Sequence, residues 1–237
     1  MSLLALALLA AAEPLPTIDA FLDGDAHAPR SIDVDGQARE AAAHVFVSQW
    51  EPRTGVPTSV YLPASPAGAR TPKALGLTAE EMARRTLFAL APLYKLHPLD
   101  AVKLPIDQVH DLGEGAIVVS FSRRVNEPPV FRERVAVVLN QQREPVGVLG
   151  AFSPFPAPTL AFSLTAKTAL DVALEHTSPR GHTLQPRQVL FATDTELLPA
   201  WQVEVDTAAG PYTVVVSAKD GRLLSRVSRT FDFSFRV

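Results

Sequence analysis

The stretch from Gly115 to Gly150 constrains this chain more than any other, because it holds three runs of alternating apolar residues with almost nothing between them. Ile117, Val119 and Phe121 share one face, Phe131, Val135, Val137 and Leu139 a second, and Val146 and Val148 a third. Alternation at period two is the signature of half-buried strands. The connections, Glu127-Pro128-Pro129 and Asn140 to Pro145, are too short to hold a crossover helix, so the three strands form an antiparallel meander. The apolar face of such a sheet needs a cover.

A helix just upstream supplies one. Thr78-Ala79-Glu80-Glu81 is a capping box, in which the threonine oxygen takes an orphan backbone N–H and the glutamate three residues on returns the bond. Ala83, Leu87, Leu90, Ala91 and Tyr94 then fall on one stripe at three-and-four spacing. Pro92 interrupts the last turn, and a short strand, Ile106 to Leu112, leads into the meander. Further upstream, His44 to Trp50 and Ser59 to Leu62 read as strands around a Pro-Arg-Thr-Gly turn.

After Gly150 come three prolines within a dozen residues, which predicts a semi-rigid linker over 151–162 and a domain boundary there. Beyond it, Ala166, Leu170, Ala173 and Leu174 repeat the helical stripe. Gly181 to Arg187 reads as a loop and Gln188 to Ala192 as a strand. Trp201, Val203 and Val205 form a strand with Gln202, Glu204 and Asp206 on its wet face, followed by Tyr212, Val214 and Val216. A Lys219-Asp220-Gly221 hairpin turn then leads to a last strand, Arg222 to Val227. Helix followed by meander therefore occurs twice. The expected fold class is α+β: two small cystatin-like units, each one helix packed on an antiparallel meander.

With 237 residues, 47% of them hydrophobic, the chain has room for two such units. The formal charge of −3 provides no field to gather nucleic acid, and no basic run is present. There is no cysteine, which excludes disulfides and thiolate chemistry. The apolar run Leu3 to Ala12 is shorter than the roughly 20 residues a membrane span needs. It ends in Ala10-Ala11-Ala12, so residues 1–12 are expected to be a signal peptide, residues 13–43 a flexible acidic lead-in, and the product secreted or periplasmic, with no membrane partner after cleavage.

Chemistry is sparse. None of the six histidines stands four residues from another, so no HExxH zinc helix exists, and there is no GxSxG or SxxK nucleophile motif. Gly113-Glu114-Gly115 lacks the helix a phosphate loop requires and reads as a turn. Trp50 and Trp201 read as core. No catalytic, cofactor-binding or metal residue is assigned, and no cofactor is expected. Arg123 and Arg124, with Arg132 and Arg134 on the neighbouring strand, form either a cross-strand charge ladder around Glu133 or a contact surface for an acidic partner.

Several pieces resemble a known family. Gly55-Val56-Pro57-Thr58 after a strand and an arginine, the capped helix ending ALAPLYKL, the VHDLGEGAIVVSF strand pair and PPVFRERVAVVLN are together similar to the fungalysin/thermolysin propeptide motif, over residues 44–150. LTAKTALDVAL through LLPAWQVEVDTAAGPYTVVVSAKDGRLLSRV, within residues 163–228, resembles a PepSY domain, and residues 229–237 resemble the junction to a mature peptidase. Arg132 and Glu133 stand where the family has small residues, and the turn Asn140 to Pro145 replaces its Asp-Gly type turn. The resemblance implies a prosegment of a secreted fungalysin-type zinc metallopeptidase, an intramolecular chaperone and active-site inhibitor whose HExxH domain is absent from this chain. The partner would be that peptidase domain, in cis or in trans, with Arg226 and Arg229 in the processing region. The competing expectation is a free-standing secreted PepSY-type module that binds or inhibits a separate peptidase or envelope protein.

Overall fold

The computed structural model describes residues 14–20, 36–52 and 54–230. The expected signal peptide, most of the lead-in and the junction beyond Thr230 lie outside the described residues. The fold is α+β, built mainly of antiparallel strands with a few helices. It divides into two compact units: a larger one, Gly24–Pro158 with Ala192–Leu197, and a smaller one, Met1–Asp23, Thr159–Phe191 and Leu198–Val237.

Among the described residues the first element is a two-residue strand of the smaller unit, β1 (Ile18–Asp19). The larger unit follows, with α1 (Gly36–Ala42), β2 (Phe46–Glu51), β3 (Val56–Tyr61), α2 (Ala79–Leu90), α3 (Pro98–Ala101), β4 (Ile106–His110), β5 (Ile117–Arg124), β6 (Pro129–Leu139) and β7 (Pro145–Ala151). The predicted meander is present, and β3 and β2 extend it in the order β4-β5-β6-β7-β3-β2. The register aligns one valine from each strand: Val109, Val119, Val137, Val148, Val60 and Val47 stand side by side. Directly opposed residues of an antiparallel sheet share a face. All of the row but the exposed Val109 packs in one cluster with Ala83, Leu87 and Leu90 of α2.

The start of α2 forms as the sequence predicts. Thr78 Oγ1 accepts from the Glu81 N–H at 3.1 Å, and the Glu81 carboxylate accepts from the Thr78 N–H at 2.8 Å. The helix tightens into a 3-10 turn, Ala91–Tyr94, around Pro92 and stops at Lys95, which is left-handed with φ 54°. Tyr94 is wholly buried there, and desolvation pushes its hydroxyl far above the usual tyrosine range.

One irregularity matters below. Between the pairs Ser122↔Arg134 and Arg124↔Pro129, β5 advances two residues while β6 advances five. The extra length of β6 is taken up in a bulge in which Arg132 adopts φ 60°. Across from it, Gly150 has φ +93°, and a Cβ there would stand 2.2 Å from the Arg134 carbonyl oxygen, so only glycine fits.

The smaller unit comprises α4 (Ala166–Glu175), β8 (Pro179–Thr183), β9 (Arg187–Ala192), β10 (Leu197–Thr207), β11 (Gly210–Ser217) and β12 (Leu223–Ser228) together with β1. The strand order is β1-β12-β11-β10-β9, with β8 also paired to β10. α4 packs Ala169 and Ala173 against Val203, Val205, Tyr212, Val214 and Val216. The predicted stripe is thus re-centred: Ala173 is at its heart, but Leu170 and Leu174 lie at its margins, because two alanines let the helix axis approach the sheet more closely.

Three further stretches differ from expectation. Residues 181–183, read as the start of a loop, belong to a strand that begins at Pro179 and pairs with β10. Two elements, β1 and α1, lie within the acidic lead-in. The helix α1 packs through Ala38, Ala41 and Ala42, which carry too weak an apolar signal to be read from sequence. The Pro-rich segment starts with buried residues, Phe152, Ser153 and Phe155.

A candidate docking face and the arginine sites

Strands that alternate have a second face, and in the larger unit it is uncharged over two complete rows. One row runs His110, Val118, Val138, Gly147, Tyr61, Phe46; the next runs Gln108, Ser120, Ala136, Leu149, Ser59, Gln49. Phe46 is 67% exposed, Tyr61 50% and Leu149 44%. The Phe46 and Tyr61 rings lie 6.4 Å apart across β2 and β3. Beside them an open groove of about 540 Å³ runs between His44, Phe46, Tyr61 and Pro63. Two rows without an acid, a lysine or an arginine, with Leu149 exposed on them and an exposed aromatic pair at one end, make a surface suited to docking a protein partner. The sequence carried the signal as uncharged alternate positions, but alternation alone does not say which face the helix covers.

Charge begins in the third row, where Arg134 Nε lies 3.7 Å from Asp107, which also accepts from the Ser122 hydroxyl at 2.7 Å. Arg134 and Arg124 are exposed, the latter donating to the Glu127 carbonyl at 3.3 Å. Arg132 is exposed too, with its guanidinium 5.1 Å from the centroid of its neighbour Phe131. These three stand at a margin of the uncharged face.

Arg123 stands apart. Its side chain is largely buried and faces Glu133 at 3.7 Å. One terminal nitrogen donates to the Ser153 carbonyl and to Ser153 Oγ at 3.1 Å, and the other donates to the Phe155 carbonyl at 2.5 Å. Glu133 in turn accepts from the Ser153 N–H at 2.8 Å. Alternation along β6 sets Glu133 on the same inward face as Val135, Val137 and Leu139, and burial pushes its carboxyl above the usual range although Ser153 and Arg123 pull the other way. Of the expected charge ladder, this one cross-strand pair forms, and it is internal.

The two arginines of the expected processing region also differ. Arg226 is 7% exposed within β12, between β1 and β11, and donates to the Pro16 carbonyl at 3.1 and 2.9 Å and to the His176 carbonyl at 2.7 Å. A peptidase cleaves extended chain that it can lift away, so the bond at Arg226 is protected while β12 is paired. Arg229, just beyond β12, is half exposed and paired with Glu204. Trp201 donates its indole N–H to the Leu164 carbonyl at 2.9 Å and packs edge-on to Phe162, while Trp50 joins the core of the larger unit. The Gly113 turn is held by Asp111, whose carboxylate accepts from the Gly113 N–H and is thereby kept below its ordinary value. Among the described residues no three His, Cys, Asp or Glu side chains gather as metal ligands would.

No protein-family model matches the chain, and no curated protein matches it. Among solved structures, the C-terminal domain of YpeB from Bacillus megaterium is similar at 10% identity, with a TM-score of 0.38, over 80% of this chain and 95% of that one. A likeness at that score carries no argument about fold or function.

Proposed function

We propose that this chain is a non-catalytic prosegment-type module, two cystatin-like units that dock on a secreted fungalysin-type zinc metallopeptidase domain, assist its folding and cover its cleft. The observation that carries the reading is the uncharged outer face of the larger sheet, with Phe46, Tyr61 and Leu149 exposed on it. The order of propeptide-like and PepSY-like pieces along the sequence supports it, and so does the helix-on-sheet plan of each unit. An aromatic anchor that becomes fully buried in a protein interface commonly contributes about 2 kcal/mol, so the exposed Phe46 and Tyr61 are the strongest contributors expected on this face. A docked module joined to its enzyme acts at high effective concentration.

The test adds the purified chain to a mature fungalysin-type peptidase and follows both hydrolysis of a peptide substrate and recovery of activity after denaturation. Inhibition and faster recovery are expected, each weakened at least tenfold by Phe46→Lys with Leu149→Lys, two exposed positions that leave the fold intact. The reading is wrong if the chain does neither, or if the double variant acts as the parent does.

A further inference from the structure

The bulge of β6 and the segment leaving β7 meet at a cluster that the docking face does not use. Its parts are Glu133 and Arg123, both largely buried, and the backbone of Ser153 to Phe155. The N–H groups of Arg123 are committed to the Ser153 carbonyl and hydroxyl and to the Phe155 carbonyl. At 3.7 Å the guanidinium gives Glu133 charge but no short hydrogen bond. One carboxylate oxygen accepts from Ser153, while the other, Oε2, is buried without a hydrogen-bond partner.

The surrounding charged groups are engaged elsewhere. Arg84 of α2 stands 5.7 Å from the Phe121 ring centroid and donates to the Val102 and Leu104 carbonyls. Arg134 pairs with Asp107 of β4, Arg124 donates to Glu127, and Arg132 lies over Phe131. A buried anion with one oxygen unserved is costly, and the neutral acid costs less.

We propose that Glu133 and Arg123 form a proton-operated clamp on residues 152–155: with Glu133 protonated the segment is held, and with Glu133 ionised it opens more readily. The direction follows from linkage. Burial raises the proton affinity of Glu133 above the ordinary glutamate value of 4.5, which it regains when the segment opens and water enters. Opening therefore releases a proton between those two values, and it becomes easier as pH rises through that window. The clamp tightens in acid and loosens towards neutrality. The segment it controls is the one that leads out of the larger unit at Pro158.

The measurement is hydrogen exchange of the Ser153 amide in the full chain across the carboxylate range, corrected for intrinsic exchange, beside a carbon-13 titration of the Glu133 carboxyl. Protection should fall with rising pH by up to tenfold per unit inside the window and then level off. Glu133→Gln should give a flat profile. Arg123→Lys, which keeps the charge, should retain the fall, whereas Arg123→Gln should move it to higher pH, because the guanidinium charge lowers the proton affinity of Glu133. A wild-type protection that rises with pH, a profile shared by wild type and Glu133→Gln, or a Glu133 carboxyl that titrates at or below 4.5 overturns the proposal.

Discussion

Both units pin an irregular segment to a strand with a buried arginine, and they do so with different chemistry. In the larger unit Arg123 binds the carbonyls of Ser153 and Phe155 and has Glu133 as counter-ion. In the smaller unit Arg226 binds the carbonyls of Pro16 and His176 and, among the described residues, meets no carboxylate. Carbonyl oxygens do not titrate. The second clamp is therefore indifferent to pH in the range where the first responds, and a single glutamate turns one structural device into two kinds.

Leucine at each arginine should break the comparison most visibly. Arg123→Leu at neutral pH strands the Glu133 carboxylate, and losing one member of a buried pair costs about 3–5 kcal/mol. In acid Glu133 takes up a proton in the variant as well, so the cost should shrink towards that of the lost carbonyl bonds, roughly 2–3 kcal/mol for bonds to a charged donor. Arg226→Leu should cost roughly 2–3 kcal/mol in acid and at neutrality alike. Urea unfolding of both variants at the two pH values decides it. Equal pH dependence would remove the distinction.

The helices offer a second contrast. Leu87 of α2 is 3% exposed in the core of the larger unit, and truncation to alanine should cost about 3 kcal/mol through lost burial and a residual cavity. In the smaller unit the centre of the α4 stripe is Ala173, fully buried against the β10 and β11 valines. There the opposite change, Ala173→Leu, should cost about 1–3 kcal/mol by overpacking. A stable Ala173→Leu variant would show that α4 has room to lift from its sheet.

These particulars also show what the sequence made legible. The meander and α2 were plain because leucines, valines and a reciprocal cap all gave the same answer, and Ala83, Leu87, Leu90, Ala91 and Tyr94 are all buried. The helix α1 was not, because its buried positions are alanines, which carry little apolar signal. Glu133 falls on the inward face by the same alternation that places Val135, Val137 and Leu139, but residue types alone do not say that a carboxylate there is met inside by Arg123 and Ser153. Alternation revealed two faces in each strand, but the choice of which face α2 covers is tertiary. The candidate docking face became visible only once the register set Phe46, Tyr61, Gly147 and Val138 in one row.

The smallest expected effect concerns how the two helices begin. α2 closes its first turn with two reciprocal bonds between Thr78 and Glu81. α4 has only the first of these, from the Thr168 N–H to Thr165 Oγ1 at 3.2 Å, because the residue three after its cap is Thr168 and not an acid. Removing the cap hydroxyl should therefore cost about 1 kcal/mol in Thr78→Ala and in Thr165→Ala alike. The difference should appear as coupling. In a double-mutant cycle, Thr78→Ala with Glu81→Ala should cost less than the two single changes added, by at least about 0.5 kcal/mol. Thr165→Ala with Thr168→Ala should come closer to additivity, since what joins those residues beyond the backbone cap is one exposed hydroxyl contact of 3.0 Å. Equal coupling in the two helices would mean that the returning Glu81 bond acts independently of the threonine cap, its contribution then being read from the Glu81→Ala change alone.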